Sequence, residues 1–240
     1  MISNILEFLK SPNVNRLNSR SVGSNLKGTL VVFGIYLVSA VILILVLGFI
    51  DSTIILKIFN HSILGQLKID NRDIIKDFGK YSFFFVVLLG PFLEEIIFRL
   101  PLRLEKFGIG LSVGLICYRL SVDHLLAFAS TDIYAYTKLA LSIIIVLLIA
   151  RFLPDSWLTL LKKNYFYFFY LASLAFALVH LTNFSYYNNT VLFFYPLFIM
   201  PQFLMALFIG YVRMEYGFAY GVTLHSLINL PVFLLTSYNL

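Results

Sequence analysis

Charge is what this 240-residue sequence has least of. Asp, Glu, Lys and Arg make up 12% of it, roughly half their share in a soluble globular domain. Apolar residues make up 60%, and mean hydropathy is +0.90. Too little polar surface remains to cover a water-soluble exterior, so lipid must supply much of the chain's surroundings. Cysteine is nearly absent too. The single thiol, Cys117, lies in an apolar stretch and excludes an intrachain disulfide framework and any cysteine-based zinc cluster. It reads as a small buried hydrophobe. No H-E-x-x-H occurs. Ser226 adjoins His225, but neighbouring residues on a helix do not face each other, which argues against a serine–histidine pair.

The charge that is present has one sign in excess, with a net +6. Its Lys and Arg residues cluster between apolar runs, as membrane topology requires, and form no basic stripe interleaved with aromatics. Nucleic acid is therefore not an expected partner; the lipid bilayer is. Residues Met1 to Thr29 have no continuous apolar run and precede a full-length span, so they do not read as a cleavable signal peptide. Ile2, Ile5, Leu6, Phe8 and Leu9 recur at helical spacing and predict a short interfacial helix.

A membrane span needs about 20 mainly apolar residues. About seven candidates fit, near 30–50, 81–102, 109–129, 133–153, 165–182, 191–213 and 217–237, with six to eight as the bounds. The third is interrupted by Arg119, Asp123 and His124. The expected fold is thus all-α, a polytopic transmembrane helix bundle in the cell membrane. Residues 1–80 would hold the interfacial segment, the first span and a polar connection, and 81–237 the membrane core. Within the connection, Ile54 to Phe59 is apolar enough to lie on the membrane, and Lys68 to Lys80 reads as a solvated loop or helix. With seven spans, Lys10, Arg16, Arg20, Lys27, Arg103, Lys106, Lys162, Lys163 and Arg213 fall on one side, which places the N-terminus in the cytoplasm. Basic residues within 51–80 run against that assignment.

Inside this apolar chain, Glu94-Glu95-Ile96-Ile97-Phe98-Arg99 needs explaining. An ionisable residue at the centre of a membrane helix costs about 2.5–3.5 kcal/mol on insertion scales. Glu95 and Arg99 stand at i and i+4 with the acid first, the favourable order for a pair. Glu94 lies about 100° around the helix and is left without a local partner. It is the candidate catalytic carboxylate; the plainer reading makes all three one structural ion network. Two further groups accompany it. Phe176…His180 places a histidine late in an aromatic span, where a buried hydrogen-bonding role is the ordinary one. His225…Asn229, also at i and i+4, offers two donors on one helix face, suited either to an oxyanion or to an interhelical hydrogen bond.

In order and spacing, Glu94-Glu95…Arg99, Phe176…His180 and His225…Asn229 resemble the CAAX protease and bacteriocin-processing (CPBP, or Abi) family of intramembrane peptidases. The run Gly210…Arg213…Gly217…His225 is similar as well. The resemblance covers about 81–237; one departure is Leu100-Pro101, where the family often has Gly after the arginine, and Pro101 should bend or end the helix. It implies an endopeptidase in which Glu94, with His180, activates water. His225 and Asn229 would stabilise the oxyanion, while Glu95, Arg99 and Phe176 would support the site. The implied substrate is a peptide or membrane-associated protein, in CAAX-type processing, peptide maturation or bacteriocin immunity. A metal-free glutamate mechanism is favoured; the alternative is one zinc held by Glu94, His180 and His225. The competing class is a non-catalytic membrane protein that binds a bacteriocin or partner peptide. A proton-coupled transporter is the third, weakened by the lack of an inverted-repeat pair of broken helices.

Overall fold

A computed structural model describes residues 1–14, 21–121 and 133–238. Among them there is no strand. Helix α1 is Ile2–Lys10, and α2 is Val22–Ile50. A π-helical turn at Asp51–Ile55 carries α2 into the short α3, Leu56–Phe59. Asn60, in the left-handed region at φ 51°, ends this rod. Then follow α4 (Ile63–Phe78), a second π turn (Phe84–Leu89) leading into α5 (Gly90–Phe98), α6 (Lys106–Ser121) and α7 (Ile133–Phe152). The chain closes with α8 (Asp155–Lys163), α9 (Tyr165–Val179), α10 (Tyr195–Phe198), α11 (Met200–Glu215) and α12 (Phe218–Tyr238).

Five helical stretches are long and apolar enough to cross a membrane: Val22–Phe59, Ile133–Phe152, Tyr165–Asn183, Asn189–Glu215 and Phe218–Tyr238. The expected seven differ from these in the second and third. The helix of the second stops at Phe98, and Pro101 turns the chain through a 3-10 segment, Leu100–Arg103. The third is helical over Lys106–Ser121, and its expected remainder, with Asp123 and His124, lies outside the described residues.

α11 is the hub. From Phe208 to Glu215 every residue is buried, so this stretch is enclosed on all sides. Its neighbours are α1, α2, α9 and α12. Phe8 of α1 sets its ring edge-on to Phe169 and Tyr211, and Ile5 and Phe8 are fully inside while Ile2 and Leu6 stay exposed. The expected interfacial helix is therefore half core element. Gly217 joins α11 to α12 at φ 112°, a backbone only glycine adopts at little cost. α6 and α7 pack on small residues: a Cβ on Gly110 would lie 2.8 Å from the Val146 carbonyl oxygen, and one on Gly114 3.0 Å from that of Ser142.

Hydrogen bonds collect the chain's turns at the two ends of the bundle. At one, the Tyr170 hydroxyl donates to the Leu9 carbonyl (2.7 Å), Tyr165 to Leu102 (2.9 Å), and Arg213 Nε to Arg99 (3.4 Å). At the other, α4 is fastened to the segment after α9. Gln66 donates to the Tyr186 carbonyl at 2.7 Å and accepts from the Tyr195 hydroxyl at 2.8 Å, while Asp70 accepts from the Ser185 hydroxyl at 2.6 Å. Of the stretch expected to be a solvated loop or helix, Lys68, Asp73, Lys76, Asp77 and Lys80 are exposed, while Asp70 is docked through a partner more than a hundred positions away.

Candidate active site

The site is built first by a local irregularity. The π turn before α5 follows an i to i+5 pattern, in which the Gly90 N–H reaches the Phe85 carbonyl. By the same pattern the Val86 carbonyl would need the N–H of residue 91. That residue is Pro91, which has none. The Asn229 side-chain amide crosses from α12 and donates to the Val86 oxygen at 3.1 Å. An apolar environment makes an unpaired carbonyl costly, so Asn229 completes the ladder that Pro91 breaks.

Two turns on, Glu94 and Glu95 leave α5 in different directions. Glu95 is 0% exposed; its Oε1 accepts from His225 Nδ1 at 3.0 Å and lies 3.9 Å from Arg99 Nε. Glu94 keeps 35% of its side-chain surface, and its Oε2 stands 3.6 Å from His225 Nε2. His225 therefore sits between the two carboxylates, one per ring nitrogen. Nδ1–H is given to Glu95, and the contact of Nε2 with Glu94, at 3.6 Å, is longer than a hydrogen bond. Arg99 is 1% exposed, and the Phe176 ring faces its guanidinium at 4.1 Å from the ring centroid. None of its side-chain nitrogens has a hydrogen-bond partner among the described residues. Its charge is met by the carboxylates and by the negative face of the ring.

Phe176 links the parts. Fully buried, it contacts the rings of His180 (centroids 4.6 Å apart) and His225 (5.7 Å) as well as Arg99. His180 lies one turn further along, where α9 ends, and its Nδ1 donates to the Phe176 carbonyl at 2.8 Å. That bond fixes the tautomer when the ring is neutral, leaving the Nε2 lone pair free to accept a proton.

Beside these residues opens a cavity of about 520 Å³, within the size range of ligand pockets. Glu94, His180 and Asn229 line it; Glu95, Arg99 and His225 do not. The three sequence motifs thus meet in space but divide into two layers. His225, expected beside Asn229 at an oxyanion, is 1% exposed, with Nδ1 bonded to Glu95 and Nε2 facing Glu94 at 3.6 Å. The sequence reading missed Asn71, Asn183 and Gln202, which also line the cavity. Gln202 was detectable as a polar residue inside an apolar run, whereas nothing in the sequence distinguishes Asn71 from a solvated helix position.

For the zinc alternative, no three His, Cys, Asp or Glu residues among the described ones are arranged to hold a metal ion. No step is assigned to a metal. Comparison with family models, curated proteins and solved structures gives no match. The family resemblance therefore rests on the motif residues themselves.

Proposed function

We propose that the protein is an intramembrane endopeptidase that hydrolyses a peptide bond in a membrane-associated peptide or protein. One observation carries the reading: Glu94, His180 and Asn229, from three different helices, line a single cavity whose other walls are largely apolar. Glu94 takes a proton from water as the water oxygen bonds to the carbonyl carbon, and the carbonyl electrons move onto its oxygen. Collapse of this tetrahedral intermediate breaks the C–N bond, and the proton passes to the leaving amine. The free Nε2 of His180 orients the water. Asn229, with one amide hydrogen on Val86, has its second for the oxyanion. His225 is a positioning residue, since it reaches the cavity only through Glu94.

The same reading takes the chain as a seven-span protein of the cell membrane with a cytoplasmic N-terminus. Segments 84–98 and 106–121 would enter the membrane beside the five long helices, and the turns carrying Lys10, Arg103 and Arg213 gather at one end, in keeping with the positive-inside rule.

A peptide library incubated with detergent-purified protein, with and without chelator, tests the function. The expected result is cleavage indifferent to chelator, reduced by about 10²-fold or more in a Glu94→Gln variant that keeps its helical spectrum. Full cleavage by Glu94→Gln would rule out the assigned site. Peptide retention without cleavage by the wild type would favour the non-catalytic binder.

A further inference from the structure

α4 belongs to the first 80 residues, outside the region that carries the motifs, yet it forms a wall of the cavity beside α12. Its sixteen residues divide into three faces. Leu64, Leu67, Asn71 and Ile74 recur at helical spacing and line the cavity. Gln66 and Asp70, one turn apart and buried, fasten the helix to Tyr186, Tyr195 and Ser185. Ile69, on the side away from the cavity, is 58% exposed. The N-terminal end is held separately: Asp51 accepts from the Ser62 hydroxyl at 2.6 Å and from the Ile63 N–H at 2.9 Å. An acid at a helix start is favoured by the exposed N–H groups there. Gly79, at φ 52°, ends the helix.

Among the described residues that line the cavity, Glu94 and His180 are the only ones of the Asp, Glu, Lys, Arg and His types. A charged substrate side chain would enter without a partner beyond these two. Neutral amides on Asn71, Asn183 and Gln202 instead suit the N–H and C=O groups of an extended backbone. Gln202 Oε1 is buried without a partner and would accept such an N–H.

We infer that α4 is the specificity wall of this cavity, with Leu67, Asn71 and Ile74 meeting the side chains of an uncharged, apolar peptide segment. The inference rests on the peptidase reading of Glu94 and His180. Two readouts separate them. In the first, the peptide library is cleaved by wild type, Leu67→Ala, Ile74→Ala and the control Ile69→Ala. The two cavity-face variants should shift the ratio of kcat/KM for Phe-containing over Ala-containing peptides by about tenfold, as expected for methylenes removed from an apolar pocket, and the control should not. In the second, p-benzoylphenylalanine replaces Ile74 or Ile69 in the Glu94→Gln background, and an apolar radiolabelled peptide is photo-crosslinked. Label should attach from position 74 and not from 69. Glu94-dependent cleavage with unchanged preference in both cavity-face variants overturns the role of α4 and leaves the peptidase standing. If the wild type cleaves nothing, the peptidase reading fails and crosslinking decides: label from 74 keeps α4 as a peptide-binding wall, and no label from 74 overturns it.

Discussion

The bond from Asn229 to Val86 yields a prediction that separates a structural duty from a chemical one. In Asn229→Leu the Val86 carbonyl loses its donor while the helix surface stays filled. An acceptor left unpaired in a buried setting costs about 1–3 kcal/mol. The carbonyl is unpaired only because residue 91 is proline, so Pro91→Ala supplies the missing N–H from within the π turn. In that background Asn229→Leu should cost less than about 1 kcal/mol, giving a coupling energy of about 1–2 kcal/mol between residues that do not donate to one another. For a chain of this length the single variant corresponds to a fall in melting temperature on the order of 5 °C. The assay is thermal unfolding followed by circular dichroism in one detergent, for wild type, both single variants and the double variant. Additive losses would refute the ladder account. Cleavage adds a second axis, because restored stability should not restore turnover if the Asn229 amide serves an oxyanion. A double variant that is both stable and fully active would remove Asn229 from the chemistry.

Two further expectations concern buried charge and the docking of α4. Glu95→Gln keeps an acceptor for His225 but takes the nearest carboxylate from fully buried Arg99, and should cost about 3–5 kcal/mol; adding Arg99→Met should recover most of it, and a double variant as unstable as the sum of the singles would contradict the pairing. Asp51→Ala removes both bonds at the start of α4 and should cost about 0.5–2 kcal/mol, seen as faster amide hydrogen exchange confined to residues 63–78; unchanged exchange there would show that Gln66 and Asp70 hold the helix alone.

The helical period made part of the site legible in the sequence. It puts Glu95 and Arg99 on one face and Glu94 on another, and the structure separates the two acids in that way, one wholly buried and one open to the cavity. Spacing along one helix cannot show what another helix brings. Arg99 is therefore not the main partner of Glu95: His225 is closer, and it reaches Glu94 as well. Asn229 read equally well as an oxyanion donor or as an interhelical bond, and only the register of α12 against the π turn identifies Val86 as its acceptor. The second expected span is helical over a shorter length than expected because hydropathy alone does not register the turn at Pro101. The docking of α4 stayed hidden because Gln66 and Asp70 look like surface residues until the segment 185–195 lies against them.

The long rod formed by α2 and α3 has a consequence for membrane thickness. Val22–Phe59 holds 38 residues, about 57 Å at 1.5 Å per residue, against a hydrocarbon layer of about 30 Å. Its largely apolar stretch, from Leu30 to Ile50, matches that layer in length, which would put Asp51 at the boundary where hydrocarbon gives way to headgroups. Asp51 is also the residue that holds the start of α4. On that placement the rod would act as a depth gauge for α4. A thicker or thinner bilayer would press on this junction before it reached the glutamates.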